Sequence, residues 1–327
     1  MPDLPADFER RMRHLLGAEA EALFAALGRD AQAGLRVNTL KTSPAALREL
    51  LPWALEPLPW TASGFALPAL AAAGKHPLHA AGLYYLQDPS AMAVAEALAP
   101  EPHARVLDLA AAPGGKSTHL ASLMGDTGLL VANDVHRGRG AALLENLERW
   151  GATSALVTNA SVAQLAERWG ALFDRVLLDA PCSGEGMFRK SAEASAQWRE
   201  AMVLECARRQ DALLQEAAAL VAPGGRLVYS TCTFAPEENE AVVARFLRSR
   251  PDFAPEAPAL PGSSPGLPGF GLKPEHLARF WPQRAPGEGH ALARLRRDAG
   301  AAPEPWPSAR VNAAPAAARQ LWEAFAA

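Results

Sequence analysis

The sequence predicts an α/β fold built on a mostly parallel sheet. Short apolar segments alternate with helical ones, and this alternation is typical of a parallel sheet with helices on its faces. The segments predicted as strands are 105–109, 129–132, 155–158, 175–178 and 226–230. A Gly-rich turn follows the first of them, as in a doubly wound, Rossmann-like domain. Residues 278–281 and 291–296 are then expected to close the sheet as an antiparallel pair.

The first 78 residues have a different pattern and are predicted to form a small N-terminal α/β domain. Helical periodicity covers 8–27, a strand-like run covers 35–41, and Ser43-Pro44 marks a helix start. We therefore expect a boundary near residue 78 and a larger domain over 79–300. Residues 301–327 are predicted to be a linker followed by the start of a C-terminal region that is missing or reduced.

The composition indicates a protein with a sizeable core and no bulk positive charge. Of the 327 residues, 49% are apolar and 20% charged, and the net charge is −3. A polyanionic partner would therefore need a local basic surface. For any single candidate cluster, a solvated face is the favoured explanation; the clusters are Arg10, Arg11 and Arg13; Arg189 and Lys190; Arg208 and Arg209; and Arg294, Arg296 and Arg297.

The cysteine pattern and the lack of long apolar runs favour a cytoplasmic protein. Cys182, Cys206 and Cys232 are widely spaced and form no CxxC pair, so we expect no disulfide framework and no metal site. The charged N-terminus has no apolar run of the signal-peptide kind. No stretch of about 20 residues is apolar and free of charge, so no membrane span is predicted.

A loop of small residues follows the first predicted strand and opens a helix. After Asp108 the chain continues through Ala111, Ala112, Pro113, Gly114, Gly115, Lys116 and Ser117. Small side chains let the backbone approach a ligand closely, and a helix N-terminus favours negative charge. Asp134 ends the next strand, where this fold holds a carboxylate against ribose hydroxyls. The pattern favours a nucleoside cofactor, S-adenosylmethionine.

The same loop is one residue short of a phosphate-binding loop. Residues 110–117 match G-x-x-x-x-G-K-[ST] except that Ala110 replaces the first Gly. Residues 176–179 could then be the magnesium-binding strand of an NTPase. Against this, the turn needs a residue without a Cβ, and an NTPase has no role for Asp134. A P-loop NTPase and a purely structural turn remain as alternatives.

Two of the cysteines follow predicted strands. Cys182 comes after 175–178 and Cys232 after 226–230, each in a polar turn. Ligand crevices of open α/β sheets lie at the carboxyl ends of strands, so neighbouring strands would bring Asp179, Cys182 and Cys232 together. Thiolates there are suited to covalent catalysis. Cys206, inside an apolar helix, is expected to be a buried small side chain.

At these residues the sequence resembles the bacterial ribosomal-RNA 5-methylcytosine methyltransferases of the RsmB/RsmF group, relatives of the Nop2/Sun proteins. The paired Pro-Cys and Thr-Cys motifs are highly specific, whereas Pro-Cys alone is typical of DNA cytosine methyltransferases. The greatest similarity is to the RsmF-like subgroup that methylates small-subunit ribosomal RNA. The matching segments extend to about residue 298 and are LRVNTLK (35–41), YLQDPSAM (85–92), DLAAAPGGKS (108–117), DAPCSGEGMFRK (179–190), YSTCTFAPEENE (229–240) and FWPQRAPGEGH (280–290).

The resemblance implies a class I methyltransferase domain that uses S-adenosylmethionine to methylate carbon 5 of cytosine in 16S ribosomal RNA. Cys232 would add to carbon 6 and make carbon 5 carbanion-like. Asp179, as a carboxylic acid, would hydrogen-bond the ring nitrogen where charge builds. Cys182 would assist product release after a base removes the carbon 5 proton. A non-catalytic RNA-binding factor with a relic fold is a third alternative, against which the intact site residues weigh.

The resemblance also assigns cofactor contacts to residues 111–117, Asp134, Arg139 and Asp179, although Arg139 equally fits an exposed helix charge. Family members often carry an acidic residue after the third strand to hold the adenine amino group. Here residues 158–161 are Thr-Asn-Ala-Ser, so Ser161 or the backbone would have to substitute. We expect a monomer with RNA as its partner. The modified cytosine, and whether free RNA or the assembled subunit is the substrate, do not follow from the sequence.

Overall fold

The protein is described by a computed structural model over residues 4–68, 71–300 and 320. The N-terminal part combines a helical pair with a small sheet. Its elements are α1 (Ala6–Leu16), α2 (Ala20–Leu27), β1 (Gly34–Val37), α3 (Pro44–Leu50), β2 (Glu56–Pro57), β3 (Gly64–Ala66), α4 (Pro77–Ala80) and β4 (Tyr84–Gln87). The sheet is antiparallel in the order β2-β3-β1-β4.

Local capping explains where these elements begin and end. The predicted start of α3 is confirmed, because Ser43 Oγ accepts a hydrogen bond from Ala46 N at 3.1 Å and Pro44 occupies the first turn. The helix predicted over 8–27 is divided at Gly17, whose φ of +57° leaves helical space. The strand predicted over 35–41 ends at Val37, and the side chain of Asn38 then bonds the carbonyls of Gly82 and Trp150.

The N-terminal sheet extends past residue 78, where we expected the domain boundary. Strand β4 pairs with β1 from Gly34↔Gln87 to Val37↔Tyr84. Helix α1 also packs on later parts of the chain, since Phe8 contacts the rings of Phe188 and Trp198. The N-terminal residues therefore form one continuous packed body with the larger domain.

The larger domain is the predicted Rossmann-like unit with a mixed sheet. Its elements are α5 (Pro89–Leu98), β5 (Arg105–Asp108), α6 (Gly115–Leu123), β6 (Leu129–Asn133), α7 (Gly140–Trp150), β7 (Ala155–Thr158), α8 (Val162–Trp169), β8 (Phe173–Asp179), α9 (Ala192–Gln197), α10 (Glu200–Leu220), β9 (Val221–Thr231), α11 (Glu240–Ser249), β10 (Phe253–Glu256), β11 (Ser264–Pro265), β12 (Leu277–Phe280) and β13 (His290–Arg297). The predicted closing antiparallel pair is confirmed as β12 and β13.

The strand order places the functional crevice. The order is β11-β12-β13-β9-β8-β5-β6-β7, with β10 paired to β13, and the five strands β5 to β9 run parallel to one another, while β13 is antiparallel to β9. From β5 the chain first adds β6 and β7 on one side and then β8 and β9 on the other, so the topological switch lies between β5 and β8. Ligands bind outside the carboxyl ends of strands at such a point.

Apolar cores cover both faces of this sheet. On one face, α5, α6 and α7 pack Met92, Leu120 and Trp150 against the strands. On the other, α8, α10 and α11 contribute Leu165, Leu214 and Phe246. Because both faces are buried, β5 and β8 consist largely of apolar residues, as expected for parallel strands.

Two predicted helices differ from the structure. The helix expected over 193–221 is two helices, because Trp198 takes an extended ψ of 137° and turns its buried indole toward Phe8 and Phe188. The helix expected to begin at Pro236 begins instead at Glu240, after a turn in which Asn239 Nδ2 donates to the carbonyls of Thr233 and Ala235.

The expectations for the C-terminal region lie outside the described residues, apart from Gln320. Among the helices of the described residues, none is both long and apolar enough to cross a membrane.

Candidate active site

The loop after β5 is held open by the strand beside it. Ala111 N donates to Asn133 O at 2.8 Å, and Ala112 N donates to Asp134 Oδ2 at 3.2 Å. Asp134 Oδ1 accepts from His136 N at 2.9 Å. The Asp134 carboxylate is thereby fixed at the end of β6 while keeping lone pairs for a ligand.

A cavity of about 370 Å³, the cofactor cavity, lies beside this carboxylate. Its walls include Ala112, Asp134, Arg139, Asp179 and Cys182. Val135, another wall residue, leaves 58% of its surface exposed. The set fits S-adenosylmethionine by its chemistry, because a carboxylate suits ribose hydroxyls, an exposed aliphatic side chain suits a purine face, and a second carboxylate suits a cationic sulfonium.

Lys116 and Asp179 form an ion pair where β5 and β8 end. Lys116 Nζ lies 2.8 Å from Asp179 Oδ2, and Ser230 Oγ donates to Asp179 Oδ1 at 2.6 Å. Burial opposes charge on both groups, but their mutual attraction dominates, so the pKa of Lys116 is raised and that of Asp179 is lowered. The pair is therefore ionised, with the proton on Lys116.

The two strand-end cysteines meet as the sequence predicted. Cys182 Sγ and Cys232 Sγ lie 3.4 Å apart, and both thiols are free. The contact with Cys232, together with burial, raises the pKa of the Cys182 thiol well above its ordinary value. Cys182 therefore keeps its proton and can donate it to the Cys232 sulfur.

Buried carboxyl groups tie the two cysteine turns together. Ser183 Oγ and Thr233 Oγ1 are 2.8 Å apart, directly after the two cysteines. Glu185 Oε2 accepts from Thr233 Oγ1 and from Phe234 N, each at 2.9 Å. Glu238 Oε2 accepts from Ser183 N at 2.9 Å. Burial raises the pKa of Glu185 to about 7.

A second cavity of about 380 Å³, the base cavity, shares Cys232 with the cofactor cavity. Its wall combines cations, acceptors, a thiol and an aromatic ring, among them Tyr85, Gln87, Asp88, Lys116, Asp179, Lys190, Cys232 and His290. Because Asp179 and Cys232 line both cavities, a ligand in each would meet at these two side chains.

The residues of the 111–117 loop, all predicted to contact the cofactor, do not all line the same cavity. Ala112 lines both cavities, while Ala111, Pro113, Gly115 and Lys116 line the base cavity alone. Two of the predicted contacts line neither cavity. Gly114 is the helix cap, with φ +112° and a Cβ position 3.3 Å from Asn146, and Ser117 is buried with its hydroxyl on Asp108.

The other expected cofactor positions are also placed by the structure. Arg139 lines the cofactor cavity, donates to Ala112 O, and lies 3.5 Å from Asp134. Ser161 is engaged in a capping box with Gln164 at the start of α8. The Ser161 hydroxyl therefore serves its own helix, which weakens its expected role as the adenine contact.

One residue of the basic clusters, Arg189, is not available to polyanions. The Arg189 side chain is only 6% exposed and bonds Glu288, Ala26 O and Gly287 O. Arg189 therefore holds the fold together and is unavailable to phosphates, contrary to our expectation. Its neighbour Lys190 remains at the rim of the base cavity, 3.2 Å from Asp88.

Sequence reasoning did not single out Gln87, Asp88 or His290 as site residues. Each comes from a segment remote from the cysteines, and only the pairing of β13 with β9 brings His290 next to the Thr231–Cys232 strand end. All three residues lie in the family-like segments YLQDPSAM and GEGH, to which the predicted chemistry had assigned no role, and this could have marked them as candidates.

Comparisons with known proteins agree with this geometry. Residues 95–296 match the family described as 16S rRNA methyltransferase RsmB/F, and residues 4–89 match the N-terminal domain of 16S rRNA methyltransferase RsmF. Ribosomal RNA small subunit methyltransferase F of Enterobacter sp. strain 638 is 36% identical over 94% of this chain and 66% of the relative. The protein of the same name from Cronobacter sakazakii is 37% identical over 95% and 67%.

Solved structures give the same result. A methyltransferase homolog protein from Pyrococcus horikoshii is 31% identical, with a TM-score of 0.80 over 90% of this chain and 96% of that one. NSun6 from the same organism, solved with SFG, has a TM-score of 0.78 at 22% identity over 90% and 99%, and shares the fold. These matches exclude the P-loop NTPase. The chain spans about two thirds of the length of its curated relatives and belongs to the RsmB/F family of S-adenosylmethionine-dependent 16S rRNA methyltransferases.

Proposed function

We propose that this chain methylates carbon 5 of a cytosine in small-subunit ribosomal RNA through a covalent bond to Cys232. The single observation that carries the proposal is the position of Cys232 in the wall shared by the cofactor and base cavities. A nucleophile there can add to a pyrimidine in one cavity while the methyl donor occupies the other. We further propose that the protein acts as a cytoplasmic monomer with RNA as its partner.

Bound S-adenosylmethionine supplies an electrophilic methyl group held on a sulfonium. Asp134 would accept hydrogen bonds from the ribose hydroxyls, and Asp179 would face the positive sulfur. Arg139 supports the loop by donating to Ala112 O. This division follows from the lining of the cofactor cavity.

The target cytosine would leave its stack to reach the base cavity, as bases do when enzymes act on them. The Cys232 thiolate adds to carbon 6, forming the carbon–sulfur bond and pushing an electron pair to carbon 5. Carbon 5 then takes the methyl group. A base removes the carbon 5 proton, the carbon–sulfur bond breaks, and the electron pair returns to the Cys232 sulfur.

The ion pair modifies the role first expected for Asp179. Ionised Asp179 has no proton to donate, whereas the Lys116 ammonium has two N–H bonds besides the one directed at Asp179. We therefore assign to Lys116 the hydrogen bond that stabilises charge on the pyrimidine ring, with Asp179 positioning it. Cys182, which keeps its proton, is placed to assist the elimination that frees the product.

Mapping of 5-methylcytosine in 16S ribosomal RNA tests this proposal. A strain lacking the gene should lose one or more methylated cytosines, and the intact gene should restore them. A gene encoding Cys232→Ala should fail to restore them. Restoration by Cys232→Ala, or an unchanged methylation map in the deleted strain, would overturn the proposal.

A further inference from the structure

His290 lines the base cavity and is not used by the mechanism above. It begins β13, is only 8% exposed, and shares the cavity wall with Lys116, Asp179 and Cys232. Its ring nitrogen Nδ1 lies 3.0 Å from Ser90 Oγ. Within the described chain, the other ring nitrogen, Nε2, has no hydrogen-bond partner among protein groups.

The hydrogen bonds behind the ring determine which nitrogen carries its proton. Ser90 Oγ contacts Asp88 Oδ1, and Asp88 also accepts from Ala91 N and Glu288 N and lies 3.2 Å from the Lys190 ammonium. A carboxylate with these donors stays ionised, so the Ser90 hydroxyl must donate to it. The Ser90 oxygen is then an acceptor, and the contact with His290 is a hydrogen bond only if Nδ1–H donates.

The ring is also neutral. Burial, reinforced by the charge of Lys116, lowers the pKa of His290 to about 4. A neutral imidazole has one N–H, and that N–H is at Nδ1. Nε2 therefore offers a lone pair, which leaves the base cavity with an acceptor of fixed orientation beside the Lys116 donor.

We propose that His290 is a specificity-determining residue, whose Nε2 accepts a hydrogen bond from the 4-amino group of the target cytosine. This inference rests on the proposed function and adds how cytosine is distinguished from uracil. Cytosine presents N–H donors at position 4, whereas uracil presents an oxygen there. An acceptor facing that oxygen is repelled, while an acceptor facing the amino group is satisfied, so the Ser90–His290 arrangement favours cytosine.

The test compares three RNA oligonucleotides that carry cytosine, uracil or pyrimidin-2-one at the mapped target position. Pyrimidin-2-one keeps carbons 5 and 6 but has no 4-substituent. We measure the rate of methyl transfer by wild type and by His290→Leu, which keeps apolar bulk but has no acceptor. With cytosine, the variant should react about tenfold more slowly than wild type. With pyrimidin-2-one, both proteins should react at the same rate within about twofold.

The remaining outcomes distinguish a failure of the His290 inference from a failure of the proposed function. An equal loss of rate on cytosine and pyrimidin-2-one would overturn the inference, because His290 would then act on a group other than the 4-amino group. Methyl transfer that persists without Cys232, or no methyl transfer by wild type to any RNA, would overturn the proposed function instead. Unchanged discrimination between cytosine and uracil in His290→Leu would also contradict the inference.

A second variant avoids any change to the cavity wall. Ser90 is fully buried and is absent from the lining of both cavities. Ser90→Ala removes the acceptor that fixes the Nδ1–H form, so the preference for cytosine over uracil should fall by about three- to tenfold while S-adenosylmethionine affinity, measured by calorimetry, is unchanged. Full discrimination in Ser90→Ala would contradict the assigned tautomer, even if His290→Leu failed to fold.

Discussion

The protonation of Cys182, Asp179 and Lys116 follows from the groups that each of them contacts. Cys182 keeps its proton because its thiol is buried against Cys232. Asp179 is ionised because the Lys116 ammonium lies 2.8 Å away, and that ammonium is in turn held charged by Asp179. One crevice thus holds a protonated thiol, an ionised carboxylate and an ammonium group together with the sulfur of Cys232.

Asp134→Ala should weaken S-adenosylmethionine binding by about ten- to a hundredfold, because it removes charge-assisted hydrogen bonds worth roughly 1.5–3 kcal/mol. The loop would also lose its anchor at Ala112 N. Isothermal calorimetry gives the affinity, with Asp30→Ala, an exposed carboxylate, as the matched control. Equal affinity in Asp134→Ala and wild type would show that the carboxylate does not hold the cofactor.

Lys116→Gln should slow methyl transfer by about 10²- to 10⁴-fold, the range expected when a positioned proton donor is lost. The cofactor cavity does not include Lys116, so S-adenosylmethionine affinity should change little. Lys116→Arg should recover part of the rate, and Lys75→Gln, on an exposed side chain, should have none of these effects. A rate near that of wild type in Lys116→Gln would remove Lys116 from the mechanism.

At the scale of elements, the turns after β8 and β9 behave as one unit. Glu185, in the first turn, accepts from Thr233 and Phe234 in the second, and Gly186 N donates to Cys232 O at 2.8 Å. These bonds hold the two cysteines in contact although their strands are joined by a long helical connection. The Glu185 carboxyl is fully buried, which makes the unit sensitive to pH.

Glu185→Gln should remove a pH dependence of stability. The pKa of Glu185 is raised from 4.5 to about 7 in the folded protein, so its protonated form stabilises the fold below pH 4.5 and this contribution is lost as pH rises to about 7. Urea unfolding at several pH values should show wild type losing up to about 3 kcal/mol relative to Glu185→Gln across this window. The control is Glu49→Gln, on an exposed side chain; its free energy of unfolding should change with pH as that of wild type does. A constant difference between wild type and Glu185→Gln would contradict the raised pKa.

Elements with a strong periodic pattern were predictable, and elements decided by tertiary packing were not. The apolar runs of β5 to β9 and the Gly-rich turn identified the fold, because they depend on neighbouring residues. The break at Trp198 was not predictable, since its cause is the burial of the indole against Phe8, about 190 residues earlier. Strand β4 was likewise missed, because only its pairing with β1 defines it.

The same distinction applies to the site. Asp179, Cys182 and Cys232 were predictable together, because parallel strands end at one edge of a sheet. The wall containing Asp88 and His290 was not, because it is assembled when β13 pairs antiparallel to β9 and brings the GEGH segment against α5. Arg189 was misplaced on the surface, since its buried partner Glu288 lies in that remote segment.

The whole molecule has a net charge of −3, so the proposed RNA substrate would have to be held by local cations against an unfavourable overall charge. Lys190 at the base cavity and the exposed Arg208 and Arg209 are available for this. RNA affinity should therefore fall by at least about tenfold between 50 and 200 mM salt, as expected when two or more phosphates are neutralised. Filter binding measures the slope. A salt-independent affinity would exclude electrostatic capture of the RNA.

We propose that Cys232 is the nucleophile and that Cys182 acts after methyl transfer. The most direct measurement is a denaturing gel of Cys182→Ala and Cys232→Ala, each incubated with labelled RNA and S-adenosylmethionine. Cys182→Ala should give a slow-migrating protein–RNA band, because the adduct forms but elimination stalls. Cys232→Ala should give no such band, since no carbon–sulfur bond can form. The reverse pattern, a band from Cys232→Ala and none from Cys182→Ala, would contradict the account by making Cys182 the nucleophile.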